Sequence, residues 1–97
     1  MRYMYRRTEF STLQSCGVPN LSKFRQAPEL VALGSVIYRR RVELGFSQEK
    51  LALIAEIERS HVGRVERGDN NVTVLVLVKL AKALNMSVED MMREAQL

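Results

Sequence analysis

Residues 48–67 read QEKLALIAEIERSHVGRVER, and the spacing of their apolar side chains decides the fold. Ser47 stands before the stretch as an N-cap, its hydroxyl able to accept from a free backbone N–H of the first turn. Leu51, Ala52 and Ala55 then recur at one and three residues, which puts them on one face of a short helix. After a turn at Glu56 and Ile57, Val62 and Val65 mark the inner face of a second helix covering roughly residues 58–67, and Gly68 ends it. Five other residues of that second helix, Arg59, Ser60, Gly63, Arg64 and Arg67, fall on a single outward face that is polar and basic.

The same period extends in both directions. Upstream, residues 29–44 form a first helix with Leu30, Leu33, Ile37 and Leu44 on one stripe and Gly45 as its stop. Downstream, Asp69, Asn70 and Asn71 make a polar loop, Thr73 caps a fourth helix, and Ser87 caps a fifth whose first turn carries Glu89 and Asp90, charges that suit the helix dipole. Residues 72–78 are rich in β-branched side chains and alone could be a strand. Leu80, Ala81 and Leu84, with Lys79 and Lys82 set apart from them, restore the helical period and decide for helix. The expectation is an all-α, compact five-helix domain over residues 29–97.

Residues 1–28 read differently. Both prolines lie there, polar residues are frequent and no period persists, so a largely unstructured basic arm is expected, with a short turn near residues 22–25. Residues 1–29 hold five basic and two acidic groups, net +3, while the rest holds ten and nine, net +1. Affinity for a polyanion in the helical part must therefore come from arrangement, not excess charge. Three readings of the arm stay open: a segment without function; a phosphate or minor-groove arm built on Arg2, Arg6 and Arg7; and a segment that binds a protein partner or wraps a dimer through Tyr3, Tyr5, Phe10 and Phe24.

Composition narrows the function classes. In 97 residues there is room for one core and no two-lobed cleft, and the longest apolar runs, residues 51–55 and 74–78, are far short of a bilayer span. The N-terminus lacks the apolar stretch of a secretory signal, and the single cysteine, Cys16, forms neither an internal disulfide nor a multi-thiolate zinc site, so a cytoplasmic place is expected. His61, the only histidine, has no partners at catalytic or ligand spacing; a phosphate contact or packing beside the second helix of the pair suits it better. No paired-carboxylate cleft, nucleophile constellation or Gly-rich phosphate loop is present, so no enzyme, cofactor or metal is expected.

A small residue where two helices cross, apolar residues on both inner faces and a polar outer face on the second helix are what a helix-turn-helix requires. Residues 48–67 supply each, with Ala52 as the small contact. Over residues 30–95 the ordered pattern LGSVIYRRR, GFSQEKLA, RSHVGRVERG and NVTVLVLVKLAKALNMS resembles the lambda-repressor-like, Cro/Xre-type helix-turn-helix family. ERSHVGRVERGDNNVT looks particularly like its controller and repressor branch, which regulates restriction–modification or phage and plasmid genes. That resemblance implies a transcriptional regulator of double-stranded DNA. It places Arg59, Ser60 and Arg64 at base edges, Gln48 on a phosphate, and Arg67, Asn70 and Asn71 on the backbone beyond; it also pairs Arg41 with Glu66 inside the fold. One position departs from the family: Glu56 stands where a glycine usually takes a left-handed conformation.

The fourth and fifth helices hold more apolar residues than one domain needs. With Val74, Leu77, Leu80, Ala81 and Leu84 filling the inner face, Leu75, Val76 and Val78 are left over, and Met91, Met92 and Leu97 follow. Burial within the domain would absorb them; the preferred reading is a two-fold dimer interface, giving a homodimer on a palindromic site. The competing class is a protein-interaction module of the same fold, antitoxin-like or coactivator-like.

Overall fold

Every helix among the described residues is closed at its C-terminal end by the same device. The computed structural model describes residues 26–97 and holds five α-helices: α1 (Pro28–Glu43), α2 (Gln48–Ala55), α3 (Arg59–Arg67), α4 (Val74–Ala83) and α5 (Val88–Glu94). After each one a residue turns left-handed, namely Gly45, Glu56, Gly68, Asn85 and Gln96. Its N–H and the next one fold back on carbonyls of the last turn, as in Glu56 N to Leu53 O at 3.3 Å and Ile57 N to Ala52 O at 3.0 Å. This Schellman closure satisfies carbonyls that a helix end leaves orphaned. Starts are capped too: Ser47 Oγ accepts from Lys50 N at 2.9 Å and Thr73 Oγ1 from Val76 N at 3.2 Å. Ser87 and Asp90 exchange both bonds of a capping box.

The inner faces meet in one aliphatic core. Leu33, Val36 and Ile37 from α1, Leu51, Ala52 and Ala55 from α2, and Val62 and Val65 from α3 are buried against Leu77, Leu80, Ala81 and Leu84 of the α4 segment and Met91 of α5. Residues 72–78 are helical from Val74 onward, as the downstream period indicates. A helix-in-helix contact that the periodicity does not reveal sets the α1–α3 spacing. A Cβ at Gly34 would press into the carbonyl of Val65 and come within 2.6 Å of that of Glu66, so α1 and α3 touch backbone to backbone there.

Several expectations are corrected. Met91, assigned to a dimer interface, is fully buried in the domain's own core, because α5 turns it inward together with Ala95. Val74, assigned to the core, is 73% exposed: it lies on the inward stripe but at the first residue of α4, beyond the last layer it could reach. Leu44, at the end of α1, is exposed. Of the residues left over on α4, Val76 packs partly onto the core, which leaves Leu75 at 67% exposed and Val78 half-buried; Met92 on α5 is likewise packed partly against the core. The arm, its expected turn near residues 22–25 and Cys16 lie outside the described residues.

Candidate nucleic-acid interface

Glu66 organises the region from inside. Its carboxylate accepts from Arg41 Nε at 2.6 Å and Arg41 Nη2 at 3.2 Å, and from the side-chain amide of Gln48 at 3.0 Å. Arg41 also donates through Nη1 to the carbonyl of Phe46 at 2.8 Å. The two charged side chains are only 11% and 5% exposed, so this is a two-pronged ion pair largely shielded from water. Through it α1, the α1–α2 turn, the first residue of α2 and the end of α3 are tied together. Gln48 thereby has one amide hydrogen engaged, its side chain oriented at the start of α2, and one hydrogen left to offer.

The outer side of α3 is a basic surface. Arg59, Ser60 and Arg64 are exposed, and none of their side chains makes an ion pair or hydrogen bond with another described residue. A charge without an internal partner in this position is hydrated, and an incoming anionic surface can displace that water. Arg67 is 61% exposed and pairs with Asp69 at 2.9 Å. Asn71 is exposed, and His61 and Asn70 are half-buried. Gly63, expected to face outward, is buried instead: a Cβ there would lie 3.2 Å from Arg67 Nη1 and 3.7 Å from the Gln48 amide oxygen. Its missing side chain lets the Gln48 amide and the Arg67 guanidinium close over α3.

The α2–α3 turn is made by Glu56 at φ 61°, ψ 46°, the left-handed conformation that the family resemblance implies for this position. The helix-turn-helix is therefore formed, with Ala52 buried where its helices approach. A helix-turn-helix family pattern matches residues 37–91, more than half of the chain. This chain belongs to the helix-turn-helix family, of the Cro/Xre type. Family members are DNA-binding transcription regulators and not enzymes.

Relatives of this helix-turn-helix protein carry related names. Control protein C.SmaI of Serratia marcescens is 45% identical over 65 residues, 67% of this chain and 75% of that protein. Among solved structures, the restriction-modification controller protein C.AhdI from Aeromonas hydrophila matches with a TM-score of 0.66 at 38% identity, covering 67% of this chain and 98% of that one. The biofilm regulator SinR, solved in complex with DNA, matches with a TM-score of 0.59 at 30% identity over 62% of this chain and 97% of that one. Among the described residues no helix is long and apolar enough to cross a membrane.

Two contacts escape sequence reasoning. Gln26 donates to the backbone of residues 67 and 68 across more than forty positions of chain, and Gln48 shares the Glu66 carboxylate with Arg41. Both contacts join distant segments, so no local period announces them.

Proposed function

We propose that this protein is a homodimeric transcriptional regulator that recognises a palindromic operator in double-stranded DNA, of the restriction–modification controller or phage-repressor kind, acting in the cytoplasm. The observation that carries the reading is the exposed face of α3, where Arg59, Ser60 and Arg64 stand unpaired with any other described residue. In this reading α3 enters the major groove and those three side chains meet base edges, with Arg64 donating two bonds to guanine O6 and N7. Gln48, held by Glu66, offers its remaining amide hydrogen to a phosphate, and His61, Arg67, Asn70 and Asn71 hold the backbone on the flanks. Support also comes from SinR, whose fold match was solved on DNA, and from relatives named as control proteins.

The second half of the address is a second copy. Leu75 and Val78 lie on α4 away from its packed residues Leu77 and Leu80, Val74 is exposed at the helix start, and Met92 and Leu97 add apolar surface on and after α5. Pairing through that side sets two α3 helices about one turn of DNA apart, roughly 34 Å. Selection of bound fragments from random duplex DNA tests the whole reading. The expected result is an enriched inverted repeat; recovery of no enriched sequence, or of a single half-site at best, would contradict it.

A further inference from the structure

Arg67 differs from the other arginines of α3. Arg59 and Arg64 pair with no other described residue, whereas Arg67 donates through Nε to the Asp69 carboxylate at 2.9 Å while staying 61% exposed. An ion pair with one member so open to solvent adds little to stability. Its effect is geometric: with Nε–H engaged, the terminal nitrogens keep one direction and their four N–H groups remain for an outside acceptor. One of those nitrogens, Nη1, lies 3.2 Å from where a Gly63 Cβ would stand, so the guanidinium extends across α3 over the glycine.

Asp69 is held from its other side. Its side chain is only 14% exposed, and it accepts on Oδ1 from the Gln26 amide at 2.6 Å and on Oδ2 from Arg67. Gln26 is itself fixed to the end of α3. Its backbone N–H donates to the carbonyl of Gly68 at 2.7 Å, and its amide donates also to the carbonyl of Arg67 at 2.9 Å. The carboxylate thus has a bonded donor on each oxygen, and the one on the far side is anchored to α3, which braces Asp69 against following the long Arg67 side chain as it moves.

We infer that Asp69 is a positioning residue for DNA binding: braced by Gln26, it aims the Arg67 guanidinium over Gly63 at one backbone phosphate of the half-site that α3 reads. This deepens the regulator reading and rests on it. As a bare charge, a carboxylate beside a duplex repels it. As a brace, it orders a long, rotamer-rich side chain before DNA arrives and spares the complex that cost. The two roles differ in sign. On random duplex no register is fixed, and net charge decides the affinity. On the operator, base contacts fix the register, each phosphate stands at one place, and the direction of Arg67 counts.

The test uses the full chain, titrated on a selected operator and on random duplex at one salt concentration. Asp69→Asn is nearly isosteric, but an amide has a single accepting oxygen and so serves Gln26 or Arg67, not both. Operator affinity is expected to fall about threefold to tenfold, the worth of ordering one such side chain in advance, while affinity for random duplex holds or rises. Gln26→Gly suits φ 63° and keeps the backbone bond to Gly68 but deletes the brace, so it should weaken operator binding in the same direction. In an Arg67→Ala background both losses should shrink to within about twofold, because a residue acting through Arg67 has nothing left to act on. An Asp69→Asn protein whose operator affinity is unchanged or raised overturns the inference and leaves Asp69 a bystander or a repulsive charge. A loss that persists in full without Arg67 overturns it as well, because Asp69 would then act on the loop and not through the guanidinium. Either failure leaves a wild type that prefers its operator, and with it the α3 reading; a wild type that prefers no duplex would remove that reading and this one together.

Discussion

At Arg64 the structure leaves a guanidinium exposed and without a partner among the described residues, on the outer face of a helix whose inner face is fixed by Val62 and Val65. Replacing it with Ala takes away no internal contact, so stability should stay within about 0.5 kcal/mol. Operator affinity should fall by roughly 1–3 kcal/mol, with relaxed preference at one base pair per half-site. An operator titration unchanged by Arg64→Ala would show that another surface reads the bases. Glu56 makes a prediction of opposite sign. It is held at φ 61° with no side-chain bond to another described residue, so Glu56→Gly should stabilise the fold by about 0.5–1 kcal/mol, a rise of some 2–8 °C in melting midpoint. The backbone of Glu56 was legible in advance only through the family resemblance, in which a glycine usually takes a left-handed conformation at this position. Gly63 was not: its outward phase is right, but only the folded structure shows Gln48 and Arg67 lying over it.

Among the elements, capping is the part that sequence conveys most fully. Ser47, Thr73 and Ser87 act locally, over three residues, and each caps the helix that follows it. The contact between α1 and α3 is the opposite case, because Gly34 looks like an ordinary helix weakness until its neighbour is known. Exposed helix interiors gain about 1 kcal/mol from Gly→Ala. Here the new methyl would meet backbone carbonyls of α3 that cannot swing away, so Gly34→Ala should instead destabilise by roughly 1–3 kcal/mol, read in a thermal or urea melt. A gain in stability would mean α1 and α3 do not touch. The α5 start adds a pH dependence. The backbone N–H of Ser87 first, then its hydroxyl and the Arg93 guanidinium, hold the Asp90 carboxyl below its usual value of 3.8. A depressed carboxyl contributes stability that is fully present above its unfolded value, near 4, and is lost as pH falls through the lower folded value. The gap in melting midpoint between wild type and Asp90→Asn should therefore be constant from neutral pH down to about 5 and shrink below about 4. A gap that widens on acidification would refute the capping role.

For the whole molecule, assembly turns on which apolar residues the single domain fails to cover, and counting surplus residues was a partial guide. Met91 and Leu75 look alike in sequence, both apolar and both beyond what the pattern requires, yet one is fully buried and the other is 67% exposed. The difference is tertiary: α5 folds back onto α1 and α4, and where its inward side falls is not encoded in α4 at all. This asymmetry gives a clean test of the proposed dimer. Leu75→Glu places a charge opposite the core side of α4, beside Lys79 and Lys82, so the monomer fold should melt within a few degrees of wild type. If α4 is the pairing surface, the buried like charges of two facing Glu residues should yield monomers in sedimentation at concentrations where wild type is dimeric. Affinity for a full inverted repeat should then fall by roughly a hundredfold, the usual worth of linking two sites, while affinity for an isolated half-site should hardly move. Met91→Glu should unfold the domain before any question of pairing arises, since an unpaired carboxylate would enter the core. A Leu75→Glu protein that remains dimeric would move the interface off α4, and with it the spacing of the two α3 helices that the inverted repeat is expected to match.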